Sequence, residues 1–313
     1  MSKRGWLLFA AMGVIWGLPY LLIKVAVNEI APTTLVLART ALASLVLLPL
    51  AATRGDLPPV LRAWRPVLAF AVVEIMVPWL LLGVAETRLS SSLTGLLVAA
   101  VPLAGAALAL ATRSSDRLDA RRLAGLLLGL VGVATLVGFE VGGGDGGAVV
   151  AIAVVAVCYA GGPMILARWL SDLPGLAVIG VSLGITALVY LPVGLAQAPT
   201  TWPSNAAVSA VVGLALICTG LAFLVFFALI AEVGPSRATV ITYVNPAVAV
   251  LLGVWLLDER FTAWTAVGFA LILTGSVLAT ARPRSRRNSA PVAAAGTSPA
   301  TRPHAVEPTS PRR

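Results

Sequence analysis

Charged residues are scarce in this chain: they make up 11% of 313 residues, whereas a soluble domain carries about 25%. Hydrophobic residues make up 59% of the chain, and the mean hydropathy is +0.96. A soluble protein of this length needs far more polar surface. The composition therefore excludes a globular enzyme and predicts an integral membrane protein.

Histidine and cysteine are also scarce. The one histidine, His304, lies in a polar C-terminal stretch, and Cys158 and Cys218 lie in apolar runs without metal-ligand spacing. The glycine-rich run 142–147 lacks the lysine and the following Ser/Thr that a phosphate-binding loop needs. We therefore expect no catalytic residue, no metal and no cofactor.

Long apolar runs, by contrast, fill most of the chain. A helix needs about 20 mostly apolar residues to cross a bilayer, and ten such runs follow one another with short breaks. Because a backbone in lipid must satisfy its own hydrogen bonds, and because the alternation of a β-barrel is absent, we predict helices. The predicted spans are 6–27, 33–52, 66–85, 91–111, 120–139, 148–169, 175–196, 206–230, 236–256 and 262–281.

The distribution of lysine and arginine indicates the orientation of these spans. The net charge of +9 is concentrated at span ends and in the C-terminal stretch, which favours contact with lipid headgroups and not with nucleic acid. If the N-terminus lies in the cytoplasm, nearly all the connections that contain lysine or arginine also lie on the cytoplasmic side. Both termini are therefore predicted to be cytoplasmic. Residues 282–313 are poor in large apolar side chains and are predicted to be a disordered tail.

The two halves of the chain repeat each other. Several residues recur after 144 positions, and the end of each half recurs after 143. Five spans per half is an odd number, so the second half must enter the membrane in the opposite sense, as in many secondary transporters. We predict one five-helix repeat at 1–145 and an inverted one at 146–281. The matching pairs are Gly17 and Gly161, Pro19 and Pro163, Lys24 and Arg168, Pro102 and Pro246, Asp116 and Glu259, Gly125 and Gly268, and Gly132 and Gly275.

The residues that carry a family resemblance are Trp16, Gly17, Lys24, Pro32 and Arg39, together with the proline, acidic residue and two glycines that close each half. This arrangement resembles the EamA-type branch of the drug/metabolite transporter superfamily over roughly residues 6–281. The resemblance implies ten helices in two inverted halves, and export or exchange of small metabolites, often amino acids, across the inner membrane. Two departures are Asp116, where the family usually has glutamate, and the lack of a second copy of Arg39.

Two ionisable residues lie deep within predicted spans. Glu74 lies about 12 Å from the inner boundary and Arg39 about 10 Å from the outer one, so their depths differ by about 8 Å. One interpretation is a structural ion pair between neighbouring helices. The other makes Glu74 a proton or cation coupling site, or a partner for a substrate amine, since an unpaired carboxyl in an apolar site favours its neutral form. Arg39 would then bind an anionic solute group.

Aromatic and amide side chains near helix-breaking prolines are candidates for lining a cavity. A proline frees a backbone carbonyl about one turn earlier, which can then coordinate a solute, although packing is the commoner role of such aromatics. Lys24 either reaches the outer headgroups or attracts a carboxylate, and Glu259 is expected to cap a helix or pair in a loop. The predicted solute-binding residues are Trp16, Tyr20, Arg39, Glu74, Trp79, Tyr159, Tyr243 and Asn245.

These features predict an inner-membrane secondary transporter that works by alternating access between its halves. We expect it to export amino acids, similar metabolites or drugs, driven by an ion gradient, with the solute, a proton or cation, and lipid as its partners. The alternatives are an importer or exchanger, a channel, and a non-transporting sensor or assembly subunit. A membrane-embedded enzyme would need a nucleophile–base pair or a metal cluster, which the sequence does not suggest.

Overall fold

A computed structural model of the chain describes residues 1–111, 120–141, 145–234 and 238–280. Within these ranges the chain folds into helices and contains no strand, as predicted. Several sequence-based expectations lie outside the described residues: the disordered tail at 282–313 with His304, the acidic residue Asp116, and residues 142–144 of the glycine-rich run.

Ten helical rods follow one another, and we number them α1 to α10. Most ends fall within three residues of the predicted spans, because Gly, Pro and capping residues end the apolar runs. A short helix, Leu57–Arg62, connects α2 and α3. The rods are α1 Lys3–Val27, α2 Pro32–Thr53, α3 Trp64–Glu86, α4 Ser91–Val98 with Val101–Ala111, α5 Ala120–Glu140, α6 Gly146–Trp169, α7 Gly175–Ala196, α8 Asn205–Val233, α9 Thr239–Tyr243 with Asn245–Leu256, and α10 Ala263–Thr280.

The ninth rod differs from its prediction. In the described part of the chain, nine helices are long and apolar enough to cross a bilayer, against the ten expected. The rod α9 is shorter because its first turns are a 3-10 helix, Thr239–Tyr243, and only Asn245–Leu256 is α-helical. The break comes just before Pro246, whose ring is incompatible with a continuous helix. The rod α4 is likewise interrupted, at Ala99–Ala100, just before Pro102.

Two rods contain a stretch of wider π-helix. It spans Ala71–Met76 in α3 and Gly213–Leu221 in α8. These stretches lie at matching positions of the two halves, since residue 74 plus the offset of 144 gives residue 218. A π-helical turn inserts an extra residue and changes the direction of neighbouring side chains, and such turns often mark functional sites. Glu74 lies in the first stretch.

Glycines allow α5 and α10 to cross with their backbones in contact. A Cβ at Gly125 would lie 2.7 Å from the carbonyl oxygen of Gly275, and a Cβ at Gly132 would lie 2.8 Å from that of Gly268. Both are too close for a real side chain, so this crossing requires glycine. In a membrane the hydrophobic effect does not drive helices together, because lipid is as apolar as the helix surface. Helices therefore associate through close packing, which small residues allow.

The remaining rods pack as helix pairs that connect the two halves. The rod α2 packs along α7, α1 along α8, α3 along α6, and α4 along α9. The direction of α2 against α7 is antiparallel, since Thr34 near the start of α2 donates to the carbonyl oxygen of Gly194 near the end of α7 at 2.7 Å, while Leu47 contacts Gly180. Every one of these pairs combines a helix from each half, so the halves share one core.

The connection after α1 supplies a pH-dependent contact. Glu29 accepts hydrogen bonds from the backbone N–H of Ser204 at 2.7 Å and from its hydroxyl at 2.5 Å, at the start of α8. These bonds stabilise the carboxylate and hold the pKa of Glu29 below its usual value. A lowered pKa in the folded state means that the contact stabilises the fold above the usual carboxyl range and loses this effect as the pH falls through the lowered value.

Replacing Glu29 by glutamine is therefore expected to lower thermal stability slightly at neutral pH and to make stability less sensitive to acid. The measurement is the unfolding temperature of the purified protein in detergent across an acidic to neutral pH series. Asp172→Asn, at another exposed connection, is the matched control. An acid dependence of Glu29→Gln equal to that of the unmodified chain would contradict the assignment.

Candidate functional site

Arg39 lies inside the bundle, on the face of α2 that meets α8 and α3. Only 7% of the residue is exposed. Its Nε donates to the hydroxyl of Thr219 at 3.0 Å, and its guanidinium carbon lies 3.6 Å from the centre of the Trp79 ring. A cation stacked on an aromatic face in a desolvated site gains up to about 2 kcal/mol. The stack leaves the remaining guanidinium N–H groups available for a carboxylate.

Glu74 lies across the same core, on the π-helical stretch of α3. Its Oε2 is buried and has no hydrogen-bond partner among the described residues. The carboxylate lies directly against Gly162 of α6, where any Cβ would overlap it. A buried carboxylate without a partner is costly, so Glu74 is a candidate residue of the functional site.

Two tyrosines surround these ionisable groups. The Tyr159 hydroxyl, on α6, lies near the Trp79 ring and is close enough to Glu74 and Arg39 to interact electrostatically with both. Tyr20, on α1, is 8% exposed and lies within electrostatic range of Tyr159. Five helices thus contribute polar or aromatic groups to one region of the core, which we call the central polar cluster: Tyr20, Arg39, Glu74, Trp79, Tyr159 and Thr219.

Three of the predicted solute-binding residues lie elsewhere. Trp16 packs against the aromatic rings of Phe223 and Phe226 on α8, with ring centres 6.4 Å and 4.7 Å away. The Tyr243 hydroxyl lies 3.2 Å from that of Thr280, at the end of α10. These two residues make contacts outside the central polar cluster.

Asn245 lies at the break in α9. Its side-chain Oδ1 is buried without a hydrogen-bond partner among the described residues. The adjoining α1 approaches closely at Gly17, where a Cβ would lie 3.0 Å from the Asn245 carbonyl oxygen. Among the described residues, Asn245 thus has an unsatisfied side-chain acceptor at the break before Pro246, and its backbone approaches α1.

The ion pair between Arg39 and Glu74, one of the two interpretations of the sequence, is not seen between these described residues. Arg39 bonds to Thr219 and stacks on Trp79, and the buried oxygen of Glu74 has no partner. Both side chains lie within electrostatic range of Tyr159 instead. One cationic and one acidic group therefore lie near the same tyrosine without bonding each other.

Lys24 and Glu259 cap helices. The Lys24 ammonium donates to the backbone carbonyls of Glu86 at 2.7 Å and Leu89 at 2.8 Å, which satisfies the end of α3. Glu259 accepts from the backbone N–H of Ser91 at 2.7 Å and of Ser92 at 2.9 Å, at the start of α4. Capping of a helix start by a carboxylate agrees with the expectation for Glu259 and with the helix dipole.

Sequence reasoning missed two polar residues of the core. Thr219 gave no signal, because a single threonine in an apolar run is common and the π-helical turn that points it at Arg39 comes from packing. Glu86 was assigned to a connection, one residue beyond the predicted span 66–85, yet it is fully buried. The signal that could have found it is Lys24, a half-buried cation on the neighbouring helix.

An apolar cavity among the described residues lies apart from this cluster. It has a volume of about 400 Å³ between α4, α5 and α6, and its lining includes Leu97, Leu103, Leu130 and Ile152. The lining contains no ionisable side chain, so the cavity suits an acyl chain and not a polar solute. We therefore take the central polar cluster as the candidate site.

Comparison with known proteins agrees with this architecture. The chain matches the EamA-like transporter family twice, at residues 3–138 and 146–281. It is 31% identical over 291 residues to the uncharacterized inner membrane transporter YedA of Escherichia coli K12, which covers 87% of this chain and 92% of YedA, and equally to YedA of E. coli O157:H7. A crystal structure of another protein shares the fold, with a TM-score of 0.64 and 22% identity over 90% of this chain and 98% of the other. The chain is therefore a multi-pass membrane protein that belongs to the EamA-like transporter family.

Proposed function

We propose that this chain is a secondary transporter of the inner membrane that exports amino acids, or similar small metabolites or drugs, by alternating access. The observation that carries the proposal is that one cluster contains a buried, stacked guanidinium, Arg39, and a buried carboxylate, Glu74, whose Oε2 has no hydrogen-bond partner among the described residues. An amino acid carries one carboxylate and one ammonium group. Arg39 matches the first group and Glu74 the second, and both lie within electrostatic range of Tyr159.

The proposal includes two inverted repeats, and several contacts support it. Gly125 corresponds to Gly268 and Gly132 to Gly275, and in the crossing of α5 and α10 Gly125 faces Gly275 while Gly132 faces Gly268. Such reciprocal contacts are expected of two helices related by a two-fold axis. The π-helical stretches of α3 and α8, and the breaks in α4 and α9, also occur at matching positions.

In this arrangement the central polar cluster lies where the halves meet. Arg39 and Glu74 belong to the first half and Thr219 and Tyr159 to the second. Movement of one half against the other would change the distances between these groups, which is how a fixed site opens to each side in turn. Basic residues at the ends of the spans favour cytoplasmic termini in this proposal.

An ion gradient is the proposed energy source, with Glu74 as the coupling site. The sequence offers no phosphate-binding loop for a nucleotide. A carboxyl that alternates between a bound proton and a bound solute amine would link the two fluxes, because the two ligands compete for one group. Glu74 suits this role because its buried Oε2 has no protein partner to displace.

The test is counterflow in proteoliposomes with a panel of labelled amino acids, with and without a pH gradient. Saturable, solute-dependent exchange is expected, and vesicles of known orientation separate export from import. Flux without saturation by solute would favour a channel. Absence of flux with every member of the panel and with related metabolites would favour the sensor or assembly subunit.

A further inference from the structure

Glu86, at the end of α3, is a second buried carboxyl that the proposed transport mechanism does not use. None of its surface is exposed, and neither Oε1 nor Oε2 has a hydrogen-bond partner among the described residues. Glu74 lies twelve residues earlier on the same rod, about 18 Å away along the helix axis. Among the described residues, the rod α3 therefore carries one unpartnered carboxyl near its middle, Glu74, and one at its end, Glu86.

A cation lies beside Glu86 but does not bind its carboxylate. Lys24 donates to the backbone carbonyl of Glu86 itself and to that of Leu89. Lys24 therefore acts on the Glu86 side chain only from a distance. If the side chain were a permanent anion, the adjacent ammonium would be expected to bond it directly, because a buried charge is stable only when it is paired.

Glu259 is the second charged group near Glu86, and it contributes a negative charge. The Glu259 carboxylate is held in place by the N–H groups of Ser91 and Ser92 and by the Ser92 hydroxyl, so its charge is compensated where it lies. The residue before it, Asp258, has a φ of 53°, a conformation that is uncommon for residues other than glycine. Two carboxyls close together disfavour a second negative charge, and the buried Glu86 is the one without a donor among the described residues.

We propose that the Glu86 side chain is a second proton-binding site of the bundle, distinct from Glu74, at the end where α1 and α3 finish. A sodium ion fits this place less well than a proton. A metal cation needs several oxygen ligands, and the carbonyls of Glu86 and Leu89 are occupied by Lys24 while the Glu259 oxygens accept amide N–H groups. The other titratable groups that face Glu86 are Lys24 and Tyr20 on α1.

Two tyrosines, Tyr20 and Tyr159, lie near these carboxyls. Tyr20 lies within electrostatic range of both Glu86 and Tyr159, and Tyr159 within range of Glu74. Each of the two carboxyls therefore has a tyrosine near it. In this proposal Glu86 exchanges its proton on one side of the membrane while Glu74 serves the solute site, so the proposal rests on the proposed transport function.

The experiment reads protonation directly and does not need a known solute. The infrared carbonyl band of protonated carboxyl groups is measured in the purified full-length protein across a pH titration, for the unmodified chain, Glu86→Gln, Glu74→Gln and Glu29→Gln. A protonated band at neutral pH that Glu86→Gln removes, and that Glu29→Gln retains, is the expected result. A spectrum of folded Glu86→Gln identical to that of the unmodified chain overturns the proposal.

A second measurement covers the case in which Glu86→Gln fails to fold. The unmodified protein is treated at neutral pH with dicyclohexylcarbodiimide, an apolar reagent that adds to protonated carboxyl groups, and the modified residues are mapped by mass spectrometry. Modification of Glu86, with Glu29 and Glu140 unmodified, supports the proposal, and an unmodified Glu86 overturns it. The proposed function fails separately: if the unmodified protein shows the Glu86 carbonyl band but moves no solute in proteoliposomes, the transport function is contradicted and the Glu86 assignment stands.

Discussion

Glu74→Gln is expected to lose gradient-driven uptake while it retains exchange of solute for solute. The amide keeps the shape of the side chain but can neither bind nor release a proton. One proton per solute supports about a tenfold accumulation for each unit of pH gradient, since a factor of ten corresponds to about 1.4 kcal/mol. In the variant this accumulation is expected to fall to the level without a gradient.

The measurement compares uptake and counterflow of the same labelled solute in proteoliposomes, with and without a pH gradient. Glu29→Gln is the matched control, because it makes the same chemical change at a carboxylate outside the bundle core that is bonded to Ser204. A Glu74→Gln variant that matches the unmodified chain in both assays would exclude Glu74 as the coupling site. Loss of both activities would show that the solute amine needs the charged Glu74 carboxylate in order to bind.

Gly132→Leu is expected to prevent correct packing of α5 against α10. A Cβ at this position would lie 2.8 Å from the Gly268 carbonyl oxygen and 2.8 Å from the Ile272 nitrogen, so it would press on backbone that cannot rotate away. Overpacking costs about 1–3 kcal/mol even where side chains can adjust. We expect a larger loss here, visible as little or no monodisperse protein after solubilisation.

Gly138→Leu provides the control on the same helix. A Cβ at Gly138 meets no atom within 4 Å, and the residue is exposed on the outside of the bundle. The measurement is the yield and unfolding temperature of both variants by size-exclusion chromatography and thermal unfolding in one detergent. Equal behaviour of the two variants would mean that the crossing of α5 and α10 does not stabilise the fold.

The positions of most helices could be predicted from the sequence. The predicted span 175–196 coincides with α7, and the other long rods begin and end within a few residues of their predictions. These predictions succeed because hydropathy adds along the chain and because Gly, Pro and capping side chains end a helix locally. The rod α9 departs from this rule, since its first turn depends on the packing around Tyr243 and Pro246.

The candidate site was only partly predictable. A sequence identifies Arg39 and Glu74 as ionisable residues in apolar runs, and it indicates that such residues face other helices. It does not give the rotation of each side chain around its helix. The π-helical turns of α3 and α8 set that rotation, and they bring Arg39 to Thr219 and Trp79 instead of to Glu74.

By itself, the sequence determined that this protein is a helical membrane protein, where its spans lie, and which family it resembles. These properties follow from local composition and from the requirement that backbone in lipid satisfies its own hydrogen bonds. Only the tertiary structure decided which polar groups meet in the core, and that Glu86 is buried without a partner. Those contacts join residues far apart in the chain, and their geometry depends on how whole helices cross.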